Sequence, residues 1–303
     1  MRISVIIPTY NPNIHRLSKT LDALQLQSLP KSEWELIIVD NNSSNSFWEE
    51  IDLSWHLNAH LVREPKPGLT YARLKGFEES KSEIIVMVDD DNILDANYLQ
   101  EALKNLENNA GLGAVGGKSI PMFEVESPFW LENFFGNLAL RDLGNDIIFE
   151  EWNNKYPDSA PIGAGMIIRK DALKSYVDKV KSGVSRITDR KGSSLSSGGD
   201  NDIVIEILKS GWKTAYVPSI SLQHIIPKER MEVQYLARLV HDTNISWVKL
   251  LNSHNINPWK KIPRWTLPLR IAKAWITDKA WVNEVNYIKW KGTCGTFKGL
   301  SEL

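Results

Sequence analysis

Three apolar runs, Ile3-Ser4-Val5-Ile6-Ile7, Leu36-Ile37-Ile38-Val39 and Ile84-Ile85-Val86-Met87-Val88, each end on a cluster of polar side chains, with helical patterns between them. Runs with so little alternation read as strands covered on both faces. Between the first two, Ile14, Leu17, Leu21 and Leu24 recur at helical spacing until Ser28-Leu29-Pro30 stops them. A shorter strand at His60-Leu61-Val62 leads through Pro65-Lys66-Pro67-Gly68 into a helix over residues 70–80, carrying Ala72, Arg73 and Gly76. After the third run, Asp95 is expected to cap a helix that turns Tyr98, Leu99, Ala102, Leu103 and Leu106 inward. Repeated β-α-β-α alternation of this kind predicts an α/β fold with a mainly parallel, Rossmann-like sheet and helices on both faces. Such sheets bind ligands outside the carboxyl ends of their strands. Here three strands deliver Thr9 and Asn11, Asp40, and Asp89 with Asp91 to that edge.

Asp89-Asp90-Asp91-Asn92 is unusual in its own right. Adjacent carboxylates repel and raise one another's pKa, a conflict that a divalent cation among them relieves. The bland alternative is a solvated acidic turn ahead of the next helix. Convergence with Thr9, Asn11 and Asp40 favours the functional reading over three unrelated capped turns.

Composition narrows the classes. The chain has 303 residues, 42% hydrophobic, and a net charge of -1, so it can bury a sizeable core and lacks the basic excess of a nucleic-acid binder. A lone cysteine, Cys294, excludes an internal disulfide and a cysteine-rich zinc site, which makes a reducing cytoplasm the expected compartment. No run is long enough to span a membrane, and the first strand starts too early to leave room for a signal peptide, so any membrane contact is expected from the cytoplasmic side.

Further along, Ala114-Val115-Gly116-Gly117 predicts a strand, and residues 121–156 an irregular excursion over the site. Residues 162–168 return to a strand pattern. Gly163 and Gly165 flank small Ala164 there, which suggests a backbone approached closely by a ligand or another element, or a β-bulge. Lys170-Asp171-Ala172-Leu173 starts a helix. The polar, glycine-rich stretch 188–199 reads as a mobile loop that runs into Asp200-Asn201-Asp202 at the head of a helix closed by Gly211. On local grounds alone Asp200 is a helix-capping acid. Thr214-Ala215-Tyr216-Val217 reads as the last strand, ending before Pro218, with a lone His224 beyond. From Ile225 onward the pattern is helical, with Trp247, Trp259, Trp265, Trp275, Trp281 and Trp290 among many Lys and Arg. Such a surface either rests on acidic lipid headgroups or packs its tryptophans back on the preceding domain.

Taken together, Pro8-Thr9-Tyr10-Asn11, Val39-Asp40-Asn41-Asn42-Ser43, Gly68-Leu69-Thr70-Tyr71-Ala72-Arg73, Val88-Asp89-Asp90-Asp91 and Gly199-Asp200-Asn201-Asp202 resemble, in that order, the signatures of glycosyltransferase family 2. The likeness spans about residues 1–235 and is specific because five motifs keep their order. It implies a GT-A domain over residues 1–225 with a helical extension over 226–303, and inverting transfer of a sugar from a nucleotide-diphospho-sugar. The acceptor would be a saccharide or a lipid-linked saccharide in polysaccharide biosynthesis. The enzyme would be cytoplasmic, with peripheral contact to the membrane through the extension.

Carried over by position, Pro8, Thr9, Tyr10 and Asn11 would line the nucleotide pocket and Asp40 would hydrogen-bond the base, usually uracil. Arg73, Asp89 and Asp90 complete the nucleotide side, with Asp89 near the ribose and Asp90 the member with a structural task. Asp91, joined by His224, would hold Mn²⁺ or Mg²⁺. Asp200 matches the catalytic base, and Gly199 stands where the family usually has glutamate. Gly163, Ala164, Gly165, Arg190 and Asp202 fall on the acceptor side or the loop, and the segment from Arg190 to Gly199 would order over the donor and exclude water.

The chemistry agrees with those roles: a carboxylate takes the acceptor's proton while a cation neutralises the departing diphosphate. Two other classes stay open. A sugar nucleotidyltransferase also joins such a sheet to acidic metal ligands, but it needs a glycine-rich phosphate loop that Pro8-Thr9-Tyr10-Asn11 is not. A non-catalytic member that binds nucleotide sugar or a partner is encouraged by Gly199.

Overall fold

The computed structural model describes residues 1–183, 195 and 197–303. The chain divides into two compact units. One takes in Met1–Met122, Ala139–Ser185 and Ile203–Ile225, the other Phe123–Leu138, Arg186–Asp202 and Ile226–Leu303.

In the first unit β1 (Ile3–Thr9), α1 (Ile14–Gln25), β2 (Trp34–Asp40), β3 (Ala59–Arg63), α2 (Leu69–Glu79) and β4 (Ile84–Met87) follow one another. β3, β2, β1 and β4 lie side by side and all run parallel, with Thr9 in register with Asp40 and Ile6 with Met87. All seven residues of β1 and of β2 are buried. Their alternate side chains feed two cores. Ile3, Val5 and Ile7 meet Leu17, Leu21 and Leu24 of α1 on one face, and Ile6 and Ile37 meet Ala72 and Phe77 of α2 on the other. Gly76 lets α2 come down on the sheet, because a Cβ there would run into the Ile6 side chain.

The sheet then changes direction. It continues through β5 (Asn92–Leu94), β6 (Leu112–Phe123), β7 (Ile148–Glu150), β8 (Ile167–Arg169) and β9 (Lys213–Ile226), with α3 (Tyr98–Asn108), α4 (Lys174–Lys181) and α5 (Gly199–Lys209) between them. The strand order is β3-β2-β1-β4-β8-β6-β9-β5, with β7 also on β9. β8 is antiparallel to β4 and β6, and β5 and β7 are antiparallel to β9.

Several sequence expectations are corrected here. β9 does not stop before Pro218 but runs on through His224 to Ile226, and β6 extends well beyond Gly117. Proline withholds one ladder donor, which reads as a stop although the strand resumes. At Gly117 a side chain would strike the carbonyls of Val217 and Ile220, so the glycine lets the two strands approach. Of residues 162–168 only the end is strand, since Gly165 has φ +76. Asp95 is not the cap of α3, which has Asn97 at its N-cap; Asp95 closes the turn ahead of it, accepting from Asn97 N and Tyr98 N. The stretch 121–156 holds the end of β6, a 3-10 helix at Phe129–Leu138 and β7.

The second unit is helical: α6 (Val233–Ser253), α7 (Leu267–Thr277) and α8 (Glu284–Glu302) follow that 3-10 helix. α6 and α8 pack along one another through small residues. A Cβ at Gly295 would strike the His241 carbonyl, and Asn244 Nδ2 donates to the Gly292 carbonyl at 3.0 Å. No helix among the described residues is long and apolar enough to cross a membrane.

Candidate active site

β1 and β2 end together, so Thr9 and Asp40 emerge side by side at the carboxyl edge. Asp40 is 1% exposed and fixed, its Oδ1 accepting from Ser43 N at 2.8 Å. Arg63 Nε lies 3.6 Å from its Oδ2, but that guanidinium is mostly in solvent, so the pair adds little. Asn11, at φ 47, ties the two strand ends: its Oδ1 accepts from Ser44 N at 2.8 Å while its own N donates to Ser43 Oγ at 2.8 Å. Pro8 is buried within β1 and Tyr10 is 55% exposed.

Asn41 takes a part that the sequence reading missed. It donates to the carbonyls of Glu64 and Lys66 and accepts from Gly68 N at 2.7 Å. This pins the connection from β3 to α2, and with it the helix that carries buried Arg73.

The acidic triplet follows β4 as a tight turn. Asn92 closes it, with Oδ1 accepting from Asp89 N at 3.1 Å and Nδ2 donating to Asp91 Oδ1 at 3.3 Å. Asp90 accepts a short hydrogen bond from the Thr9 hydroxyl, which locks the turn to the end of β1. Asp91 is directed elsewhere: its Oδ1 lies 3.3 Å from Nε2 of His224, both side chains being almost wholly buried. Asn92 and His224 are partners across the β5–β9 ladder, and Ile225 N donates to the Asp91 carbonyl. The unexpected length of β9 is thus what carries His224 to the triplet.

A carboxylate oxygen and an imidazole nitrogen so close and so buried form a hard-to-borderline donor set of the type that divalent Mn²⁺ accepts, with Asp89 half-buried at the same turn. The residues therefore fit the cation that the family resemblance implies.

Gly163, Ala164 and Gly165 are buried. The close approach at Gly165 is made by another element: the Tyr98 hydroxyl donates to its carbonyl, and a Cβ would overlap Tyr98 and Leu222. Burial pushes the Tyr98 phenol above its ordinary pKa, which keeps it a neutral donor.

In the second unit Gly199, Asp200 and Asp202 occupy the first turn of α5, where backbone N–H groups and the helix dipole favour ionised carboxylates. Asp202 Oδ1 lies 2.6 Å from Nε2 of His254, with side-chain exposures of 1% and 2%. His254 is at the end of α6, and no local signal links it to an acid fifty-two residues earlier. Arg190, like most of the expected loop, lies outside the described residues.

A family model described as "Glycosyl transferase family 2" matches residues 4–176. A "Glucosyl-dolichyl phosphate glucuronosyltransferase" of Haloferax volcanii is 24% identical over 245 residues, covering 78% of this chain and 73% of its own length. A "Dolichol-phosphate mannosyltransferase" of Pyrococcus furiosus is 29% identical over 135 residues, 43% of this chain and 37% of the relative. Among solved structures, S. aureus TarS 1–349 superposes with a TM-score of 0.56 at 15% identity, covering 100% of this chain and 91% of that one. The same protein has been solved in complex with UDP and with UDP-GlcNAc.

Proposed function

Since the chain belongs to glycosyltransferase family 2, has the GT-A fold and is a glycosyltransferase, we propose that it moves a sugar from a UDP-sugar, with inversion and with a divalent cation, to a saccharide or lipid-linked acceptor. The observation that carries the proposal is the buried Asp91–His224 pair at the edge where Thr9, Asp40 and Asp89 also end. The UDP and UDP-GlcNAc complexes of TarS support a uridine donor, and the dolichyl and dolichol phosphates in two relatives' names support a lipid-linked acceptor.

In this reading Asp40 accepts from the base. One of its oxygens is already engaged by Ser43 N, which sets the direction of the other. Asp89 faces the ribose, and Asp90, committed to Thr9, holds the turn. Asp91 and His224 would hold Mn²⁺ or Mg²⁺. When bound, that cation supplies Lewis-acid neutralisation of charge on the leaving diphosphate. Asp200 removes the acceptor hydroxyl proton as the hydroxyl oxygen bonds to the anomeric carbon, and the nucleoside diphosphate departs from the opposite face. Gly199 leaves that base without the flanking carboxylate that the family usually carries there.

Thermal unfolding across a panel of nucleotide sugars, with and without Mn²⁺, tests the donor side. UDP-sugar with Mn²⁺ is expected to stabilise the parent by about 2.7 kcal/mol at a hundredfold excess over its dissociation constant. Asp91→Asn is expected to lose the Mn²⁺-dependent part. Equal shifts in variant and parent would remove Asp91 from this role.

A further inference from the structure

Helix α7 is turned inside out for a helix in water. Of its eleven residues only Ala274 is buried. Leu269 and Ile276 are 69% and 65% exposed, and Trp265, one turn ahead of Leu269, is 77% exposed. Residues 269 and 276 share one face of α7, and Trp265 stands in the 3-10 turn that leads into the helix. The turn beyond the helix adds Trp281 and Val282, exposed at 58% and 57%. Continuous with this face, Ile276 joins Leu267, Ile271, Trp275 and Trp290 in lining an open apolar groove. The Trp275 and Trp290 rings meet edge to face with centroids 4.7 Å apart, and Trp290 Nε1 donates to the Ile271 carbonyl. These two rings therefore belong to the packing of the unit, and Trp281 leans on Trp275 with centroids 6.4 Å apart while still 58% exposed, whereas Trp265 is 77% exposed.

Single exposed apolar residues are ordinary, but a contiguous apolar face on one helix marks an interaction surface. The charges around it identify the partner. Between residues 259 and 291 eight Lys and Arg stand against two acids, an excess of six positive charges in a chain whose net charge is -1. Lys261, Arg270, Lys273 and Lys279 are exposed beside the apolar residues. Leu and Ile at the centre, Trp at both ends and long basic side chains around them match the headgroup boundary of an anionic bilayer. There the rings sit at the interface and the amines reach the phosphates.

We propose that the exposed face of α7, with Trp265 and Trp281 at its ends, is a docking surface for an anionic lipid bilayer. The helix lies in the interface and does not cross it, which agrees with the absence of a membrane-spanning helix among the described residues. The proposal stands on this face alone and does not depend on the donor or the acceptor.

Flotation of the full chain with vesicles tests it. The parent is expected to float with vesicles of phosphatidylcholine and phosphatidylglycerol, to stay behind with phosphatidylcholine alone, and to release as salt is raised. Leu269→Glu/Ile276→Glu is expected to lower partitioning by roughly tenfold or more, because two apolar anchors become charges. Lys273→Glu/Lys279→Glu should weaken binding to anionic vesicles through charge alone, so the proposal survives poor folding of either variant. No flotation of the parent, or equal flotation of parent and both variants, overturns it. So does a lipid-free dimer that Leu269→Glu/Ile276→Glu dissociates, which would assign the face to a second copy of this chain.

Discussion

The Asp200→Asn variant is expected to fold, to bind nucleotide sugar as the parent does, and to lose sugar transfer by a factor on the order of 10²–10⁴. Asparagine keeps the size of the residue within the first turn of α5, but its amide cannot take a proton from an acceptor hydroxyl. Donor affinity is expected to survive because the proposed donor contacts lie on Asp40, Asp89 and Asp91. Parallel measurements of nucleoside diphosphate release and of the thermal shift with donor separate the two properties. Unchanged turnover would take Asp200 out of the base role, whereas loss of donor binding with turnover would make the change structural.

The largest effect on stability is expected at His254. Its ring and the Asp202 carboxylate are both nearly excluded from solvent and 2.6 Å apart. Removing one member of a buried hydrogen-bonded pair costs about 1–3 kcal/mol, and more where the group left behind is charged. His254→Ala should therefore lower the denaturation midpoint sharply, while the double variant with Asp202→Asn should lose less than the two single losses combined. Strict additivity would mean that the contact contributes no coupling. The pair bears on function because Asp202 sits two residues from Asp200 on the same turn, so what fixes one carboxylate also fixes the backbone that presents the other.

β1, β2, β4 and the helices between them are plain in the amino-acid sequence, because strands buried on both faces must be continuously apolar and helices on them must be amphipathic. Their carboxyl ends, and hence the meeting of Thr9 and Asp40 beside the acidic triplet, follow from topology. The antiparallel half is obscured by its own devices: Gly117 and Pro218, which read as breaks, lie inside long strands that approach too closely for ordinary side chains. On local pattern His224 is solitary, because its partner is 133 residues away; the family resemblance alone joined it to Asp91, and the β5–β9 register is what brings the two together. Asn41 and Asn92 were overshadowed by the acids beside them, although their amides, with both donors and an acceptor, are what hold those turns. For the tryptophans the sequence left two readings open. Trp275 and Trp290 pack together within the helical unit, Trp281 rests against Trp275 with much of its ring still exposed, and Trp265 is largely in solvent.

The central claim is inverting transfer of a sugar from a nucleotide-diphospho-sugar. It is tested most directly by incubating the chain with the best-binding donor, Mn²⁺ and candidate saccharide or lipid-linked acceptors, then reading the released nucleotide and the anomeric configuration of the product together. The account predicts one nucleoside diphosphate per sugar transferred and a new linkage of configuration opposite to the donor's. Retained configuration, or pyrophosphate released from a nucleoside triphosphate and a sugar phosphate, would contradict it.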